Sequence, residues 1–143
     1  METALRAYRK HFRPSRFLDA PRVMMAVSAI AADSEEEARH FSKPRDIWVA
    51  QLYRNRAGSL PTLAEAEAYQ PTDDEAAQID LVAERGLAGT ALQVLERLDT
   101  LRKQHSIDEF FLLTLIPDAA IRKTSYTLMS RAAGLNQAAE AAE

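Results

Sequence analysis

Apolar residues recur along this chain in two rhythms, and the switches between them mark its elements. Leu5, Tyr8 and Phe12 fall at helical spacing while Arg6, Arg9 and Lys10 face away. This predicts a short helix over residues 3–12, stopped by Pro14, whose ring cannot supply the next backbone donor. Residues 23–32 are then apolar at odd and even positions alike, Ser28 excepted, between Pro21 and Asp33. Two apolar faces in so short a run predict a strand covered on both sides, as in parallel sheets, with a buried helix as the competing reading. Asp33-Ser34-Glu35-Glu36-Glu37 reads as a helix start in which Asp33 accepts from exposed amides and Glu36 or Glu37 closes a capping box. That helix is expected to run through Phe41, to bend or break near Pro44, and to resume through Ile47, Trp48, Leu52 and Tyr53, ending over residues 54–58.

Residues 57–71 contain Gly58, Pro61 and Pro71 and lack a period, which predicts an excursion loop. Thr72-Asp73-Asp74-Glu75 repeats the capping pattern and opens a helix ending at Gly86, a natural left-handed terminator. Leu87-Ala88 can form a very short strand. Residues 90–104 give the clearest helix, with Thr90 and Gln93 as a capping box and Leu92, Leu95, Leu98 and Leu101 as its apolar side. Residues 109–116 predict a second buried strand, broken by Pro117. Asp118 then caps a last helix carrying Ile121, Leu128, Met129 and Ala132 and stopped by Gly134. The order is α-β-α-α-(β)-α-β-α, helix-rich α/β with two or three parallel strands. One domain is expected over residues 1–135, with a fraying Ala/Glu tail over 136–143.

Composition narrows the classes. A length of 143 residues suits one core, and a formal net charge of -3 with scattered Lys and Arg argues against nucleic-acid binding. There is no cysteine, which removes disulfides and thiolate chemistry and suits a reducing cytoplasm. No apolar stretch approaches the roughly 20 residues of a membrane span, so a soluble cytoplasmic protein is expected. His11, His40 and His105 share no helix face, and no metal set is expected of them. Glu35, Glu36 and Glu37, like Asp73, Asp74 and Glu75, are explained by helix starts and their dipoles. Trp48, Tyr53, Phe110 and Phe111 could line an apolar cavity, but at helical or strand spacing they read first as core. No Ser-His-Asp order, P-loop or GxGxxG is present. Gly89-Thr90, a glycine followed by a helix N-terminus, is the candidate anion contact.

Four stretches carry a family resemblance. Tyr8-Arg9-Lys10-His11-Phe12-Arg13-Pro14-Ser15 leads to Leu18-Asp19-Ala20-Pro21. Val23-Met24-Met25-Ala26-Val27-Ser28 continues through Ala31-Ala32-Asp33-Ser34-Glu35-Glu36-Glu37-Ala38. Gly89-Thr90 precedes a helix, and Asp108-Glu109-Phe110-Phe111-Leu112-Leu113-Thr114 is followed by Asp118 and Ser125-Tyr126. In this order they resemble the C-terminal portion of the luciferase-like, bacterial-luciferase-type flavin-dependent monooxygenases. Ala91-Leu92 departs from the Pro-Glu usual after Gly-Thr in that family, and Pro117 and Ala119 stand beside Asp118 where relatives carry aromatic or histidine residues.

The resemblance implies a partial TIM (β/α) barrel, its last sector only, since a whole barrel takes roughly 250 residues. It implies reduced FMN as cofactor, a flavin peroxide oxygenating an apolar carbonyl-type substrate, and a flavin reductase as partner. Gly89 and Thr90 would meet the flavin phosphate, and no residue of this chain is assigned a catalytic role. Most flavin contacts would lie on earlier strands, so the chain is not expected to act alone. The alternative is a non-catalytic, self-associating module derived from the barrel. Either way a homo-oligomer or a missing barrel half is the expected partner, because a partial barrel leaves strand edges and an apolar face open.

Overall fold

The computed structural model describes residues 1–56 and 58–135. The tail over 136–143 lies outside them. Helix α1 (Glu2–His11) is tied down by its polar side chains. Tyr8 Oη and the backbone of Arg22 exchange bonds at 3.3 Å, and Arg9 Nη2 donates to the carbonyls of His105 (2.6 Å) and Ser106 (2.8 Å). Strand β1 (Met24–Ala31) follows, and α2 (Glu35–Tyr53) begins one residue later than the acids suggest. Ser34 is its cap, with Oγ accepting from the Glu37 amide at 3.1 Å, while the Asp33 amide donates to the Glu37 carboxylate.

Helix α2 is not interrupted at Pro44. The missing donor costs about 3 kcal/mol in a helix interior. Burial offsets it, because Pro44 is among the most buried side chains and Ala38, Ile47 and Ala50 are buried on either side of it. The expected loop over 57–71 contains a helix, α3 (Leu63–Ala68), started by a Thr62–Glu65 capping box. Helix α4 (Asp73–Arg85) starts where Thr72 donates its amide to Glu75 at 3.0 Å. It ends at Gly86, whose φ of −77° is not left-handed.

Strand β2 (Leu87–Gly89) leads to α5 (Ala91–His105), capped by Thr90 and Gln93 as expected. Leu98 is buried and Leu95 and Leu101 pack against the same core, as expected, joined by Val94, while Leu92 in the first turn is exposed. Strand β3 (Glu109–Leu113) stops short of the predicted 116, and Asp118 Oδ1 caps α6 (Ala119–Ala132) through the amides of Ala120 and Ile121.

Among the described residues the three strands are all parallel, in the order β2-β1-β3. β3 pairs along Met24–Ser28 of the central strand, and β2 along Ala29–Ala31 on the opposite edge. Where β3 has ended, hydroxyls replace the ladder: Ser125 Oγ accepts the Ala31 amide (2.8 Å) and Thr114 Oγ1 donates to the Ala29 carbonyl (2.9 Å). Both hydroxyl residues are buried. Ser125→Ala leaves the Ala31 amide without an acceptor and is expected to cost about 1–3 kcal/mol in a denaturant titration. An unchanged midpoint would show that the amide finds another acceptor.

Helices α5 and α6 cover one sheet face, enclosing Ala29, Ala31, Leu87, Val94, Leu98 and Met129. Helix α2 covers the other face only at its C-terminal end, around Ile30, Ala32, Ala38 and Ile116. The expectation of strands covered on both sides therefore holds for half of β1. Met24 (61% exposed), Phe111 (57%) and Leu113 (41%) stand open on the remainder. An apolar side chain reports that a face is suited to burial; whether anything covers it depends on residues elsewhere. The fold is helix-rich α/β with a three-stranded parallel sheet, and it fits a partial TIM barrel.

Candidate functional site at the strand C-terminal ends

Parallel strands bring the loops after them to one end of the sheet, where the amides of following helices also point. Here the Ala32 amide donates to the Gly89 carbonyl at 3.1 Å, which sets the start of α5 beside the start of α2. A cleft of about 220 Å³ opens between α2 and α6. Ala31, Ala32, Phe41 and Ile121 form its apolar wall, and Asp33 and Glu37 sit at its rim.

The α5 N-terminus is occupied by the chain's own groups. Gln93 Oε1 accepts the Thr90 amide at 2.8 Å, and Thr90 Oγ1 accepts the Gln93 amide at 3.4 Å. Gln93 Nε2 donates to Glu35 Oε2 at 3.2 Å, and Glu35 also pairs with Arg39 at 2.5 Å. A Cβ on Gly89 would lie 2.7 Å from Gln93 Oε1. Glycine is thus needed for the capping side chain to fold back, which is reason enough for its presence.

The aromatic candidates do not converge. Trp48 Nε1 donates to the Gly58 carbonyl, Tyr53 is exposed, Phe110 packs beneath α5 and α6, and Phe111 faces the open sheet surface. His40 Nδ1 lies 3.4 Å from Glu67, and His105 is buried at the end of α5. Among the described residues no group of three His, Asp or Glu could hold a metal ion, and no helix is long and apolar enough to cross a membrane.

Periodicity gave no sign of a buried polar cluster on α2. Arg45 Nη2 meets Asp46 Oδ1 at 2.6 Å, and Ser42 Oγ donates to Asp46 Oδ2 at 2.9 Å, all three residues being buried. Among the described residues Arg45 Nε has no hydrogen-bond partner, and Asp46 Oδ1 meets Arg45 as an ion pair without hydrogen-bond alignment. Burial pushes the Asp46 carboxyl up, against the opposing pull of Arg45 and Ser42, and it pushes Arg45 down. The guanidinium lies against Gly86, where a Cβ would stand 2.1 Å from Nη2. Adjacent charges between Pro44 and Ile47 were the available signal, but a helix normally turns such neighbours apart.

The architecture matches a known one. The crystal structure of apo-MsnO8 superposes with a TM-score of 0.75 at 22% identity, covering 92% of this chain and 40% of that one. Sequence relatives point the same way. The Escherichia coli K12 protein described as a luciferase-like monooxygenase is 28% identical over 127 residues, 87% of this chain and 37% of its own length. The N-acetyl-S-alkylcysteine monooxygenase of Bacillus subtilis is 28% identical over 132 residues, 92% of this chain and 39% of its own. The uncharacterized B. subtilis protein YceB is 27% identical over 125 residues. No protein-family model matches the chain. The chain is a homologue of luciferase-like monooxygenases over about nine-tenths of its length, which supports its reading as their C-terminal part. It spans about two-fifths of the length of the curated relatives it matches.

A flavin phosphate does not fit Gly89-Thr90 as they stand. The Gln93 side chain fills the approach to the cap, and the Glu35 carboxylate places like charge beside it.

Proposed function

We propose that this chain acts as the C-terminal part of a cytoplasmic, FMN-dependent luciferase-like monooxygenase and does not bind flavin or turn over by itself. The class rests on homology to luciferase-like monooxygenases along nearly the whole chain. The incompleteness rests on one observation: the candidate phosphate contact is closed by Gln93 and faced by Glu35. In such an enzyme the flavin supplies the oxygen chemistry, on reducing equivalents from a flavin reductase, and the protein binds, orients and excludes water. The chain's own contribution would be the wall formed by Ala31, Ala32, Phe41 and Ile121, suited to an apolar carbonyl-type substrate.

Titration of FMN with the purified chain, followed by quenching of flavin fluorescence, tests this. No saturable quenching is expected even at high micromolar protein. Stoichiometric binding would overturn the reading and make Gly89 and Thr90 the first residues to substitute.

A further inference from the structure

We propose that the open half-face of the sheet is a docking surface for a β/α polypeptide equivalent to the part of the luciferase-like relatives that this chain does not span. The proposal rests on the family reading above and adds the surface and the mode of contact. Met24, Ala26, Phe111 and Leu113 share one face, because Ala26 pairs with Phe111 and Ser28 with Leu113. All four are exposed, while Ile30 and Ala32 further along that face of β1 are buried under α2. This row runs from the core to the surface with Ser28 as its one polar position on β1 and Glu109 at its open end, unlike an isolated exposed side chain. Within the row, between Ala26 and Ile30, Ser28 Oγ is buried with no hydrogen-bond partner among the described residues.

The backbone is open in the same place. β2 pairs β1 only from Ala29 onward, so among the described residues the stretch from Met24 to Ser28 has a strand on one edge only. The outer edge of β3 is also unpaired among them. Its sequence, Glu-Phe-Phe-Leu-Leu, holds no proline or lysine of the kind that protects free edges.

Two features choose the occupant. First, relatives that align with about nine-tenths of this chain have roughly three-fifths of their own length beyond the match. Second, a second copy paired edge to edge through β3 would leave the recessed half-edge of β1, flush against β2, still empty. A larger partner supplying a strand to each edge satisfies both edges and covers Phe111 and Leu113 together.

The test co-expresses the full chain, affinity-tagged, with the portion of the E. coli luciferase-like monooxygenase outside the matched region, in the absence of added flavin. Light scattering after size exclusion reads the stoichiometry. The expected result is a one-to-one complex from the wild-type chain and a monomer when the chain is expressed alone. Phe111→Lys should weaken the complex at least ten-fold, while Phe17→Lys, at another exposed aromatic residue, leaves it intact. Circular dichroism of each variant alone confirms that it folds. A probe that stays insoluble or unbound beside the wild-type chain overturns the proposal. So does a self-dimer sensitive to Phe111→Lys, or a complex indifferent to it. FMN titration of the complex is read separately, so a complex that binds no flavin leaves the docking surface standing and counts against the flavin reading alone.

Discussion

Arg45→Met is expected to lower stability by about 3–5 kcal/mol at neutral pH, the range for removing one partner of a buried ion pair. Methionine keeps most of the volume, so the cost comes from the Asp46 carboxylate, left buried with Ser42 Oγ as its one side-chain donor among the described residues. The pH dependence separates this cause from lost packing. Burial already holds the Asp46 carboxyl above its ordinary value, and Arg45 is the largest influence pulling it down. Without Arg45 the folded-state pKa rises further, so the folded protein binds the proton more tightly than the unfolded chain. A raised folded pKa gives stability that is present at low pH and is lost as pH rises through that pKa. The deficit of Arg45→Met relative to wild type should therefore shrink as pH falls below neutrality towards the ordinary carboxylate range. Denaturant titrations along that series give the comparison, and a deficit independent of pH would assign the loss to packing.

Gly86→Ala should cost about 3 kcal/mol and lower Tm by roughly 10 °C in a domain of this size. The added Cβ would stand 2.1 Å from Arg45 Nη2. A long side chain on the surface would swing aside cheaply. This guanidinium is only 5% exposed and paired with Asp46, so moving it breaks a buried ion pair. The prediction carries its own control. In an Arg45→Met, Asp46→Leu background both charges are gone, and replacing a buried pair by apolar residues is often neutral. Gly86→Ala should there cost less than about 1 kcal/mol, a non-additivity that only direct contact explains. Equal penalties in the two backgrounds would mean that the backbone at residue 86, and not Arg45, demands glycine.

These residues also mark where sequence reading stops. Local capping chemistry was legible: Thr72 with Glu75, Thr90 with Gln93, and Asp118 each start a helix where their spacing says. The same pattern at Thr62 and Glu65 starts α3 inside the stretch over 57–71 that Gly58, Pro61, Pro71 and the lack of a period mark as loop, since six residues are too few to show a helical period. At Pro44 the local rule failed for a tertiary reason, the burial of residues on both sides of the proline in an uninterrupted helix. Gly86 was read as a φ requirement and proved to be a space requirement, set by a side chain 41 positions earlier that no pattern at residue 86 can report. For the site, the junction of Gly89-Thr90 with the α2 start follows from parallel strands ending together. Its closure by Gln93 and Glu35 does not, since side-chain direction between two helices is fixed only by packing.

The central place of β1 has a consequence for how the chain is made. Both of its partners lie far downstream, and the contact between Ala29 and Thr114 closes over 85 residues. A ribosome working at about 5–20 residues per second therefore holds β1 without either of these two partners for several seconds. During that interval Met24–Ala31, uncharged and with serine as its one polar residue, is an apolar strand with two free edges. Pairing over such separations is also slow once the chain is released. Among the described strands, the one on which the sheet is built thus comes first in sequence and waits for both of the others.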